Sequence, residues 1–264
     1  MAAEDIDDTR MPLLDHLVEL RRRLIYSFLA LIVMFFVSYF FSEEIFRFLV
    51  QPYADLVEGQ ANRRLIFTAL HEAFFTYIKV AAFSALFFGF PIFATQLWLF
   101  VAPGLYRNEK GAFLPFLIAT PILFIMGGAM VYYIVMPLAF TFFLSFESVG
   151  GDGALPIQLE AKVDQYLSLA MRLIFAFGVS FELPVLMTLL ARAGMVSAAG
   201  LADKRKYAMV LAFVAAAILT PPDVISQIML AVPIIILYEI SILSAKFVER
   251  QRAAREKAEE EAQT

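Results

Sequence analysis

The sequence predicts an all-α, polytopic membrane protein with six transmembrane helices, both termini cytoplasmic and the last two helices short. Three observations predict it. Of the 264 residues, 61% are hydrophobic and 17% charged, against roughly 45–50% apolar and about 25% charged in soluble domains. Several uncharged runs reach the roughly 18 residues that mark a spanning helix. Basic residues also fall mainly in alternate loops, as membrane topology demands.

The first element is Asp15-His16-Leu17-Val18-Glu19-Leu20-Arg21-Arg22-Arg23-Leu24. At about 100° per residue, Leu13, Leu17, Leu20 and Leu24 share one face, and Asp15, Glu19, Arg22 and Arg23 the other. That is an amphipathic helix suited to a membrane interface. Residues 24–41 form the first expected span. Residues 42–68 read as a polar loop with Pro52, Gly59 and a short amphipathic piece at 45–50. The second span, 70–101, starts at Glu72 and Lys79 and contains Pro91, Gln96 and Trp98. At about 1.5 Å per residue it outruns a roughly 30 Å hydrocarbon core, so it must tilt, kink at Pro91 or project into water.

A tight turn at 102–111 leads to the third span, 113–136, which Pro137 is expected to end or turn into a surface segment. A second long loop, 148–164, carries Gly150, Gly151, Gly153 and Pro156. The fourth span, 165–191, contains Arg172 and, past its middle, Glu182 followed by Pro184. Two short spans, 207–219 and 224–241, are joined by Thr220-Pro221-Pro222-Asp223, which allows only a hairpin. Even about sixteen helical residues cover only about 24 Å, so this pair must thin the bilayer or lean on longer neighbours. Residues 1–247 thus read as one membrane domain, and 248–264 as a charged cytoplasmic tail whose helix frays.

Six spans put both termini on one side. That side carries Arg10, Arg21, Arg22, Arg23, Arg107, Lys110, Arg192, Lys204, Arg205, Lys206 and the bases of the tail. The opposite loops carry only Arg47, Arg63, Arg64 and Lys162. By the positive-inside rule the first side is cytoplasmic. Residues 1–11 are acidic and polar, so they are not expected to be a cleavable signal peptide.

Cysteine is absent and only His16 and His71 are present, which excludes disulfides, thiolate catalysis and histidine-rich metal sites. A net charge of −4 favours no nucleic-acid partner. No phosphate loop, Ser/His/Asp set or metal-ligand spacing appears, so neither an enzyme nor a cofactor is expected. The candidate residues are mostly acids. Glu182 at mid-bilayer costs roughly 2.5–3.5 kcal/mol. It is either a paired or protonated carboxyl locking helices, with Arg172 or Gln96 as partner, or part of a polar patch used by a substrate or a partner helix. Glu19 can pair with Arg23 or Arg22 along its own helix for about 0.2–0.5 kcal/mol. Glu109 alone reads as a solvated loop acid. Together, at one membrane edge, Glu19 and Glu109 could hold two guanidinium groups through bidentate bonds, each roughly 1.5–3 kcal/mol. Glu72 and Lys79 anchor the start of the second helix, Asp223 can cap the last, and Pro52 is taken as structural.

The motifs His16-Leu17-Val18-Glu19-Leu20-Arg21-Arg22-Arg23-Leu24, Ala102-Pro103-Gly104-Leu105-Tyr106-Arg107-Asn108-Glu109, Phe177-Gly178-Val179-Ser180-Phe181-Glu182-Leu183-Pro184 and Thr220-Pro221-Pro222-Asp223 together resemble the TatC family. That family is the multispanning subunit of the twin-arginine protein translocase, and the likeness runs in order from Leu14 to about Phe247. It implies a receptor in the bacterial cytoplasmic (inner) membrane for folded cargo with Arg-Arg signal peptides, driven by the proton-motive force without a cofactor. It assigns signal-peptide binding to Glu19 and Glu109, with Arg21 beside them. Glu182, with Gln96, falls in a concave face associated with the single-span partners TatA and TatB. A homo-oligomer within the complex is expected. The sequence departs from the family where Leu70-His71-Glu72 lacks the proline that often precedes the acid. Beyond Phe247 no family signature remains.

Two rival classes are a proton-coupled transporter using Glu182, which the lack of an internal repeat weakens, and an intramembrane enzyme, which lacks a nucleophile–base pair. Small single-span partners co-purifying in mild detergent would separate the receptor from both.

Overall fold

The computed structural model describes residues 13–59, 63–105, 114–148, 150, 155–220 and 224–263. Among them the regular elements are helical, with two isolated β-bridges in the loops. In chain order they are α1 (Leu13–Phe40), α2 (Ser42–Leu56), α3 (Glu72–Leu105), α4 (Leu114–Met130), α5 (Met136–Leu144), α6 (Val163–Phe181), α7 (Leu183–Arg192), α8 (Ala198–Asp203), α9 (Arg205–Leu219) and α10 (Val224–Gln263). A π-helical turn, Val131–Val135, links α4 to α5. Five segments of the described residues are long and apolar enough to cross a membrane: His16–Phe40, Glu72–Phe100, Pro115–Leu144, Val163–Arg192 and Gln227–Ala254. The 15 residues of α9 rise only about 22 Å.

The amphipathic stretch and the first apolar run form one unbroken helix, α1. It packs chiefly on α3, and His16 stacks on Phe100 with ring centroids 4.2 Å apart. Leu24, Phe36 and Phe40 remain exposed, which suits a peripheral helix with hydrocarbon on its free sides.

The expected polar loop after it is largely helix. Its wet face is stitched by Arg47 to Glu43 at 2.6 Å and Gln51 to Asp55 at 2.6 Å, while Leu49, Pro52 and Tyr53 are buried. Pro52 has no N–H, so the Phe48 carbonyl one turn earlier loses its helical donor. The Tyr132 hydroxyl replaces it, donating to Phe48 O at 2.8 Å. Tyr166 likewise donates to Leu49 O at 2.9 Å. These two tyrosines join α2 to the membrane helices.

Pro137 does not end the third span, contrary to expectation. The preceding turn widens to π geometry, which shifts the hydrogen-bond register. Pro137 then lies directly after the widened turn, at the start of α5. The segment Pro115–Leu144 therefore continues as one span.

The core lies where α3, α4–α5, α6 and α10 meet, around Val80, Val131, Met136, Leu167, Phe177 and Leu230. Helices α4 and α6 approach closely because glycines face each other. A Cβ on Gly127 would sit 2.6 Å from Phe177 O and 2.9 Å from Gly178 Cα. Small residues make such crossings in membranes because packing, not water exclusion, holds the helices. The tail is the other departure: α10 runs unbroken from Val224 to Gln263. Its Ala, Glu, Arg and Lys residues are strong helix formers, and extending an existing helix avoids the nucleation cost. Glu249 also accepts from the Ala198 N–H at 2.8 Å, docking the tail on α8.

Gly127→Ala should lower stability by about 2–3 kcal/mol, because the added methyl meets backbone that cannot step aside. A fall in the detergent melting temperature checks it; an unchanged midpoint would show that the crossing is looser.

Candidate functional site

The end of the bundle that holds the start of α1 concentrates charge in a small space. Glu19 and Arg23 lie one helical turn apart on the side toward α3, while Leu17, Leu20 and Leu24 are exposed. Glu19 Oε1 accepts from Arg23 Nε at 2.9 Å and from Nη2 at 2.5 Å. Arg23 Nη1 donates to Gln96 Oε1 of α3 at 3.4 Å. The side chains of Arg23 and Glu19 are only 17% and 14% exposed, and Glu19 Oε2 is buried with no hydrogen-bond partner. Arg21 and Arg22 are exposed. A cavity of about 580 Å³ opens beside the pair, lined by Leu20, Arg23, Phe28, Phe93, Gln96 and Phe100 among others.

The local Glu19–Arg23 pair weighed from spacing is thus present. Spacing did not indicate the tie from Arg23 to α3. Gln96 serves Arg23 and is not hydrogen-bonded to Glu182. Glu109 and Asp223 lie outside the described residues.

Glu182 occupies the joint between α6 and α7, with φ −77° and ψ −11°. Pro184 in the first turn of α7 makes that joint, since it cannot donate back to Ser180. Both Glu182 carboxyl oxygens are buried and form no hydrogen bond. Thr120 of α4 is the polar neighbour, and its hydroxyl accepts from Trp98 Nε1 of α3 at 3.3 Å. Arg172, ten residues earlier and so about 15 Å along the axis, is exposed. Glu182, Thr120 and Trp98 therefore form a polar island between α3, α4 and the α6–α7 joint, set among Ala94, Val185 and Leu189.

The opposite end is held by the two long loops. Glu147 grips Arg63 in a bidentate fork, with Oε1 accepting from Nη1 at 2.5 Å and Oε2 from Nη2. Glu147 Oε1 also accepts from the Leu159 N–H at 2.7 Å. The Arg63 guanidinium holds the Glu147 carboxyl down from its ordinary 4.5 to about 2. Ile66 N donates to Ala161 O at 3.1 Å and Val163 N to Ile66 O at 2.9 Å, tying the first loop to the start of α6. Lys79 of α3 pairs with Asp164 of α6. Glu72 reaches back to accept from the N–H groups of Thr68 at 2.8 Å and Ala69 at 3.2 Å, a cap that fixes the start of α3 without a proline. Pro52 is buried in α2 at this end. Sequence reasoning missed Arg63 and Glu147, since no local pattern links residues 84 apart.

A family model described as Sec-independent protein translocase protein (TatC) matches residues 15–233. The Sec-independent protein translocase protein TatC of Magnetococcus marinus is 56% identical over 253 residues, covering 96% of this chain and 90% of the relative. The protein of that name from Escherichia coli K12 is 38% identical over 243 residues, covering 92% and 90%. A crystal structure described as the twin arginine translocase receptor TatC superimposes with a TM-score of 0.76 at 36% identity, covering 89% of this chain and 99% of the other.

Because the folded-state pKa of Glu147 lies below 4.5, its clasp stabilises the loops above that pH and is lost as pH falls towards about 2. The protection of the amides of residues 63–66 and 157–161, taken relative to their intrinsic exchange rates, should fall through that window. Glu147→Gln should exchange fast at neutral pH and lose the acid dependence; a variant that kept it would place the titration elsewhere.

Proposed function

This chain belongs to the TatC family of Sec-independent protein translocase proteins, and from that premise we infer that it is the signal-peptide receptor and core subunit of a twin-arginine translocase. It takes part in twin-arginine protein translocation and is not an enzyme. The observation that carries the receptor reading is the Glu19 carboxylate, which already holds a guanidinium at the end of α1. A carboxylate that holds one guanidinium inside the chain has the chemistry to bind one from a peptide. Glu109 supplies the second acid in this reading, and Arg21 stands exposed beside the first.

The five long apolar segments and the short α9 together give six spans, with both termini cytoplasmic. The basic residues at the α1 end of the bundle support that orientation, and the length of α9 fits a span in a locally thinned bilayer. The membrane domain is then 1–247, with 248–264 a cytoplasmic tail, in a bacterial inner membrane. The Glu182 island, with Gln96 nearer the membrane edge, faces TatA- and TatB-type single-span helices. A buried unpaired carboxyl is costly in hydrocarbon, and a partner helix bearing a donor relieves it. One chain this small cannot enclose a permanent pore for folded cargo without breaching the permeability barrier, so assembly with further copies and with the partners follows, energised by the proton-motive force.

Glu19→Ala or Glu109→Ala should weaken cross-linking to an Arg-Arg signal peptide by about tenfold, the equivalent of losing one charge-assisted fork, while the protein still inserts. Unchanged cross-linking in the double variant would remove the assigned site. Glu182→Leu should leave peptide cross-linking intact and reduce co-purification of the single-span partners; full recovery of both partners would make Glu182 a packing residue.

A further inference from the structure

Arg23 directs two N–H groups at a single oxygen of Glu19, Oε1, and leaves Oε2 buried with no donor. A carboxylate has about four acceptor positions and pairs best with a guanidinium across both oxygens. Arg23 does not reach that arrangement, being tethered one turn further along the same helix. A guanidinium arriving from outside α1 has no such tether and can engage both oxygens. On the far side of Arg23, Gln96 Oε1 already accepts from Nη1. Both residues line the roughly 580 Å³ cavity between α1 and α3, so there is space on that side for the arginine to move into.

We propose that Arg23 is a displaceable placeholder, filling Glu19 in the empty receptor and withdrawing onto the Gln96 amide when a signal-peptide arginine takes the carboxylate. The proposal rests on the reading of Glu19 as the arginine contact. An uncompensated carboxylate at the edge of the bilayer is expensive, and the internal guanidinium lowers that cost while the site is empty. Once the peptide arginine arrives, two cations beside one anion repel, and Arg23 is the one with another acceptor within reach. The exchange also selects for arginine. A lysine ammonium is a compact, strongly hydrated charge without a planar fork, so it competes poorly with the resident guanidinium. Glu19 binds the peptide, whereas Arg23 and Gln96 are positioning residues that set the threshold for displacement.

The test uses the full chain in detergent and two fluorescent signal peptides, identical except for Arg-Arg or Lys-Lys. Arg23→Gln should bind the Arg-Arg peptide about fivefold more tightly, in keeping with removal of one modest competing ion pair. It should gain still more for Lys-Lys, so that discrimination falls. Gln96→Leu should weaken Arg-Arg binding, because the displaced guanidinium then lacks an acceptor. In the Arg23→Gln background the same Gln96 change should have no effect. If Arg23→Gln does not insert, Arg23→Lys keeps the charge without the fork and should shift both affinities in the same directions. Arg-Arg binding that is unchanged or weaker in the Arg23 variants overturns the placeholder and leaves Arg23 a structural bridge. Glu19→Gln separates the two failures. Normal binding by Glu19→Gln removes the receptor site itself, while lost binding without tightening in the Arg23 variants removes only the exchange.

Discussion

In hydrocarbon every backbone carbonyl and N–H must find its partner within the protein, and this chain places prolines where that rule is hardest to meet. Three of these prolines are answered differently. Pro52 strips the donor from Phe48 O, and the Tyr132 hydroxyl replaces it from another helix. Pro137 follows a π-helical turn that shifts the hydrogen-bond register just before it. At Pro184 the helix breaks, and Glu182 sits in the joint. The long spans, the docking of α2 and the placement of the intramembrane acid all follow from how these bonds are re-satisfied.

The all-helical, multi-span architecture was legible in the sequence because apolar run length is a local, additive signal. The third apolar segment runs on past Pro137, which reads as a terminator, the first begins ahead of residue 24, and the last continues well beyond residue 241. Single-residue rules treat proline as a break, and only the π turn, a property of the packed helix, overrides it. The loop after α1 was misjudged for a related reason. Its polar face and Pro52 argue against helix until Tyr132 and Tyr166, some eighty residues or more away in sequence, supply donors. Of the site, the Glu19–Arg23 pair could be read from an i,i+4 spacing. Gln96 could not be assigned to Arg23, because which α3 residue meets α1 depends on the crossing of the two helices.

The two ends of the bundle use the same chemistry differently. At the loop end, Arg63 and Glu147 form a complete fork, with a backbone N–H on one of its oxygens. Lys79–Asp164 and the Glu72 cap add further ties nearby. Charges paired that fully have little left to offer another molecule, and their joint effect is to fix loops that water would otherwise loosen. At the α1 end, the Glu19–Arg23 pair is incomplete, with one oxygen idle and one guanidinium edge held at 3.4 Å by an amide.

That asymmetry bears on where recognition can occur. A satisfied bidentate pair must be broken before a ligand gains anything, so the loss of the old bonds cancels most of the new ones. A half-satisfied acid retains an acceptor whose desolvation has already been met by the fold, and a ligand that completes it gains without first breaking a full fork. The unpaired oxygens of Glu19 and of Glu182 are the two places among the described carboxylates where burial has left such acceptors unfilled. One lies at the membrane edge beside an arginine and the other deep in a span beside Thr120. In the proposed receptor reading, a charged peptide segment completes the first from water and a partner helix within the bilayer completes the second.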